Sequence, residues 1–286
     1  MANIRLIKGR IKSAKNIAQI TKAMEMVAAS KMKKAQAVAS AGKLYAGKIY
    51  DMVQELARRV DVTDNPLLQK SKTLIGKSLV IYITTNKGLC GGLNSTSFRF
   101  LTGQYKNFQN TQFITLGKKG AGYVVSFGGT IIADFSQISP FTSAVPALTT
   151  RILEEFLERR VDGIDLVYNE FLSIVKQEPR RKMILPLSIE SSTTQVKKDK
   201  REFLIEPSPK QVFDALLPHY LENQIRDAIL QSEASEQSSR MMAMRNATDN
   251  ALSLMDELTL VYNKARQEKI TYEISDMVTA RLAVEQ

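Results

Sequence analysis

Cysteine occurs once in these 286 residues, at Cys90, so no intramolecular disulfide framework is possible. That usage fits a reducing compartment. Histidine also occurs once, at His219, directly after Pro218. One histidine and one distant cysteine exclude a His-based triad, an H-E-x-x-H helix and a zinc set. Tryptophan is absent and aromatics make up only 7% of the chain. The apolar 44% is therefore mostly aliphatic and alanine, which favours helices packing on helices. No run approaches the ~18 apolar residues of a membrane span. Met1 to Arg10 lacks the apolar stretch of a secretory signal. The chain reads as soluble, with membrane association only through partners.

Proline is missing from both ends. All 8 prolines lie between Pro66 and Pro218. Because proline breaks helices, this layout predicts a helix, a mixed middle and a second helix. The expected divisions are residues 1–65, 66–207 and 208–286.

The first segment carries a heptad seam. From Ile4, alternating steps of three and four give Ile7, Ile11, Ala14, Ala18, Thr21, Glu25, Ala28, Met32, Ala35, Ala39, Gly42, Ala46, Ile49, Val53, Leu56 and Val60. Only Thr21, Glu25 and Gly42 depart from an apolar pattern, which predicts a coiled coil. As one helix it would be roughly 85 Å long at 1.5 Å per residue. The last segment starts near Pro209, with a stripe at Ala251, Met255, Leu258, Tyr262 and Ala265, then Ile270, Ile274 and Met277. It outruns the first helix, so one end should project alone. Gln231 to Asn250, rich in Ser, Met and Asn, reads as a weaker seam, and Met241, Met242 and Met244 as packing filler.

Charge is divided between the ends. The net charge is +11, and residues 1–60 hold nine Lys and four Arg against Glu25, Asp51 and Glu55, a local +10. Residues 219–286 hold seven basic and eleven acidic side chains, a local −4. The two ends are complementary, and the basic one could also meet an acidic protein loop, nucleic acid or an anionic membrane. Lys31, Lys33 and Lys34 must face away from the seam. They are not interleaved with aromatics, which argues against a nucleic-acid motif.

The middle alternates strands and helices. Strands are expected at Ser78–Thr84, Gln112–Leu116, Thr130–Phe135, Ile164–Phe171 and Met183–Ile189. Helices are expected at Ser95–Gln109, Lys118–Ser126 and Pro146–Arg160, the last with proline at its start. This reads as a small α/β sheet covered by helices. Gln195 to Arg201 reads as a charged loop. The Gly-rich loop Thr85 to Asn94 follows a strand, where α/β folds bind phosphates, but it matches neither G-x-G-x-x-G nor a Walker loop. A turn or a protein-contact loop is the better reading. No Asp or Glu pair stands out as an acid/base couple.

Three longer stretches are specific. Ile20 to Lys31 (ITKAMEMVAASK) resembles the N-terminal signature of gamma subunits of F-type ATP synthases. Gly88 to Asn94 (GLCGGLN) is similar to that family's central loop. Ala234–Glu236 through Ala247–Asn250, with Leu260 to Gln267, resemble its C-terminal signature. The resemblance implies an antiparallel coiled coil of the two terminal helices around an α/β, Rossmann-like middle. It implies a non-catalytic rotary shaft that holds no cofactor or metal, couples ion flow to ATP synthesis or hydrolysis, and regulates both. The implied partners are a ring of three alpha and three beta subunits, epsilon and delta, and the membrane-embedded c-ring, with no nucleic acid. The implied place is peripheral, on the cytoplasmic face of a bacterial plasma membrane.

By the same resemblance, contacts with beta fall to Met24, Lys31, Lys33, Lys34, Lys87 and Cys90, and to a polar catch of Arg266, Gln267 and Thr271. The foot on the c-ring and epsilon falls to Phe203, Leu204, Ile205 and Glu206. One departure is visible. The family commonly ends on small residues, whereas Arg281 and Leu282 make this tip bulkier. The chloroplast-type regulatory insert with its cysteine pair is absent.

Overall fold

A computed structural model describes residues 4–60, 65–69, 76–187 and 205–284. The chain forms two compact units, one of Met1–Ala29 with Arg240–Gln286, the other Ser30–Ser239. Two helices run through both. Helix α1 is Ile4–Ala57, 54 residues, and α5 is Pro209–Val284, 76 residues.

The larger unit is built on a five-stranded sheet. Its strands are β1 (Ser78–Ile83), β2 (Thr111–Leu116), β3 (Thr130–Asp134), β4 (Gly163–Phe171) and β5 (Gln177–Leu185). They lie in the order β3-β2-β1-β4-β5, parallel except for the β4–β5 pair. The connecting helices are α2 (Leu93–Gln104), α3 (Lys118–Ser126) and α4 (Val145–Leu157). Strand residues alternate between two cores, as the pleat requires. Leu79, Ile81, Ile83, Ile164, Leu166 and Tyr168 face a core shared with α4, the end of α1 and the start of α5. Val80, Tyr82, Phe113 and Val167 face the opposite core with Leu101, Tyr105, Phe108 and Val124. Burial on both faces is why β1 reads as an unbroken apolar run rather than an alternating one.

Among the described residues, every buried α1 side chain lies on the heptad seam, from Ile7 through Ala14, Ala18, Thr21, Ala28, Met32 and Ala35 to Ile49, Val53 and Leu56. In the larger unit Tyr50 meets Tyr220 at a ring separation of 6.0 Å. In the smaller unit the Thr21 and Thr248 hydroxyls are 2.7 Å apart, while Arg5 and Ile17 share a groove with Leu254 and Leu258. Rising α5 numbers meet falling α1 numbers, so the pair is antiparallel. Alanines in mid-seam let the two backbones approach closely.

Four expectations are corrected. The last strand begins at Gln177, well before the apolar Met183. Gln177–Lys182 reads polar because β5 is a sheet edge. There Pro179 costs no ladder bond, and Arg180 and Arg181 pair with Glu170 and Asp165 at 2.6 and 2.8 Å. The helix expected over Ser95–Gln109 is Leu93–Gln104, because Asn107 turns the chain by capping the Gln109 amide. The polar stretch of α5 is no weak seam, since Ser232, Ser235, Gln237 and Ser238 are buried. Ile270, Ile274 and Met277 are exposed, because no described segment packs on that end of α5. Residues 188–189, the Gln195–Arg201 loop and Phe203 and Leu204 lie outside the described residues.

Candidate partner-contact surfaces

The carboxyl end of the sheet is where an α/β fold ordinarily takes a ligand. The strand order reverses between β1 and β4, and the crevice at such a switch point is the usual site. Here the chain's own α5 occupies it. Ser235 Oγ donates to Asn169 O at the end of β4, 3.0 Å. Ser238 Oγ donates to Ile174 O in the β4–β5 turn, 2.8 Å. Ser239 Oγ donates to Cys90 O in the loop after β1, 2.7 Å.

That loop is strapped from inside. Asn94 Nδ2 donates to Thr85 Oγ1 at 2.8 Å and contacts Cys90 Sγ at 3.4 Å. Asn86 Nδ2 donates to Ser136 O, and Lys118 N donates to Asn86 Oδ1. The Cys90 side chain is buried, and the residue thrust outward is Leu89, 64% exposed at φ 63°. A bulky apolar residue held exposed in the left-handed region marks a local constraint with no packing return inside the chain. Lys87 beside it is exposed.

On the coil unit a second apolar stripe runs along α1, outside the seam. Ile17, Ile20, Met24 and Val27, in steps of three and four, are all exposed, as is Leu6. Sequence reasoning identified Met24 alone. The signal was present as a second heptad offset from the seam. Near its start, Leu6, Ile17, Leu254 and Leu258 form an open groove of about 740 Å³ rimmed by Arg5 and Arg10. An apolar trough with cationic edges is shaped for an apolar segment that carries carboxylates.

From Arg266 to Arg281 every α5 residue is exposed, Arg266, Gln267 and Thr271 among them. Thr271 Oγ1 donates to Gln267 O at 3.0 Å, which holds it to the helix surface. Met24 and these three residues belong to the coil unit, whereas Lys31, Lys33 and Lys34, all exposed, belong to the larger one. Of the expected foot, Ile205 is half-buried against the sheet core and Glu206 is exposed. Among the described residues no helix is long and apolar enough to cross a membrane.

The profile of the ATP synthase family matches residues 3–284. The ATP synthase gamma chain of Herpetosiphon aurantiacus is 40% identical, with all of both chains covered. That of Methylibium petroleiphilum is 37% identical, covering 99% of this chain and 100% of its own. A chain from the central stalk and c-ring structure of the Tetrahymena thermophila mitochondrial ATP synthase superposes with a TM-score of 0.58 at 27% identity. That match covers 80% of this chain and 99% of the Tetrahymena chain. A chain of the Euglena gracilis mitochondrial enzyme, in rotational state 3, shares the fold with a TM-score of 0.64 at 22% identity, covering 98% and 94%.

Proposed function

The chain belongs to the ATP synthase family as a gamma chain, and from that premise we propose that it is the central rotary shaft, carrying rotation between an ion-driven c-ring and catalytic beta subunits. The observation that carries this reading is α5 itself. It is a 76-residue helix on which every residue from Arg266 to Arg281 is exposed, with Ile270, Ile274 and Met277 presented outward. Exposed apolar side chains in such number on a monomer mark a surface that something else covers. For a shaft the cover is the ring of three alpha and three beta subunits.

The shaft makes no bond to ATP. Its work is to be asymmetric, so that each beta subunit meets a different face as it turns. The stripe of Ile17, Ile20, Met24 and Val27, the lysines at 31, 33 and 34, and the Lys87–Cys90 loop meet acidic and apolar segments of beta. Leu89, rather than the buried Cys90 thiol, is the loop's contact atom set. Arg266, Gln267 and Thr271 form a polar catch, with Arg266 offering a forked donor to a carboxylate. The foot, Phe203 to Glu206, meets epsilon and the c-ring, and delta completes the assembly. The protein is peripheral on the cytoplasmic face, held to the membrane by these partners.

Affinity purification of the tagged chain from membranes tests the reading. A shaft brings down an ATPase with its membrane sector, while the isolated chain neither binds nor hydrolyses ATP. Purification as a lone protein with ATPase activity would instead mark a nucleotide-dependent enzyme. Tight binding to nucleic acid that falls steeply with salt would mark a charge-driven binder.

A further inference from the structure

We propose that Ser235, Ser238 and Ser239 are positioning residues for rotary coupling, a hydrogen-bonded key that fixes α5 to the carboxyl end of the sheet and carries torque between the sheet and that helix. The proposal rests on the shaft reading above. Three observations carry it. First, these hydroxyls sit where a packed helix ordinarily carries apolar residues, and Ser235 and Ser238 are completely buried. Second, none of the three takes the usual route of a helical serine, a bond to its own helix's carbonyl one turn back. Each reaches across to another segment, at 3.0, 2.8 and 2.7 Å. Third, the acceptors belong to three different pieces of backbone: the end of β4 at Asn169, the β4–β5 turn at Ile174 and the loop after β1 at Cys90.

The geometry has a mechanical meaning. Apolar packing is non-directional, so a helix held by it alone can roll or slide by small steps at little cost. A hydrogen bond weakens steeply with misalignment, so three anchored at separate points oppose both rotation about the helix axis and translation along it. The acceptors at positions 90 and 174 lie in loops, so the same bonds stiffen the strand ends against the helix. Ser239 is the last residue of the sheet-bearing unit, and α5 continues unbroken to Val284. Two continuous helices therefore carry torque out of the sheet-bearing unit, α1 and the α5 segment that these bonds hold.

The test uses the whole membrane complex carrying S235A/S238A/S239A, with S232A as the control. Ser232 is buried one turn earlier on the same helix and makes no such bond among the described residues. The measurements are assembly yield, ATP hydrolysis with and without an ionophore, and the proton gradient sustained by ATP. Support would be a triple variant that assembles and hydrolyses ATP within about twofold of wild type. It would lose most of the stimulation by ionophore and sustain a gradient at least threefold smaller, while S232A matches wild type. A purely structural role would instead lower assembly and hydrolysis together and leave the gradient per ATP unchanged, and that outcome overturns the proposal. Should the triple variant fail to assemble, S235A, S238A and S239A are each measured alone. Wild-type gradients per ATP in all three overturn it, and restoration by Ser→Thr at a site whose alanine slips supports it. A wild-type chain that never enters a membrane ATPase would sink the shaft reading instead, a separate result.

Discussion

Thr21 interrupts an otherwise apolar seam, and the structure supplies the reason. Its hydroxyl lies 2.7 Å from that of Thr248, so one of the two donates to the other, and the acceptor donates to a carbonyl of its own helix. A matched polar pair across a coil is a register device, because any slide breaks the hydroxyl–hydroxyl bond and leaves each threonine only the carbonyls of its own helix. Thr21→Val should lower the stability of the purified chain by about 0.5–1.5 kcal/mol in urea titrations. A cycle with Thr248→Val should show coupling of about 0.5 kcal/mol or more, and strict additivity would remove the register role. Glu25, the next seam departure, is held by Lys22 at 3.0 Å and so stays at the seam's margin. Arg266 is the opposite kind of residue, exposed and outside the seam. Arg266→Ala should shift chain stability by less than ~0.5 kcal/mol and leave assembly intact. It should lower ATP hydrolysis and ATP-driven pumping, in rate more than in affinity, because a catch acts in only some rotational states. Wild-type rates would remove Arg266 from the catch, and failed assembly would assign it to the coil.

At the scale of elements, the sheet and its covering helices hold four phenols in a protonated state. Burial is the first cause for Tyr82, Tyr105, Tyr168 and Tyr220, all raised, with the Asp165 carboxylate adding to it at Tyr105. Tyr168 is pushed up to about 12. Below the ordinary value near 10 these groups are neutral in both states and their contribution is complete. Above it the unfolded chain releases protons that the folded chain keeps, so stability falls as pH rises from about 10 toward 12. The urea midpoint should be flat from pH 8 to 9.5 and drop steeply above 10. Tyr105→Phe should shallow that drop, and a midpoint unchanged at pH 11 would refute the argument. The same elements show where local sequence stops being informative. Strand β1 was legible from SLVIYI because both its faces are buried. Half of β5 was not, because an edge strand needs only one neighbour and carries charges that keep other chains away.

For the molecule as a whole, sequence alone determined the two long helices, their pairing seam and the α/β middle. Each of those depends on a repeat, 3.5 residues for a coil or a buried strand's apolar run, and a repeat is written in consecutive residues. It also determined, through long motif stretches, the family and with it the shaft role. Only the tertiary structure decided which polar residues are buried. Ser235, Ser238 and Ser239 meet carbonyls 66, 64 and 149 positions away, and a hydroxyl's composition is the same whether it faces water or a distant backbone. Likewise, the heptad set Ala14, Ala18 and Ala28 on the seam, but only packing showed that the neighbouring stripe of Ile17, Ile20, Met24 and Val27 stays exposed. Two apolar stripes on one helix are equivalent until packing covers one of them and leaves the other for a different chain.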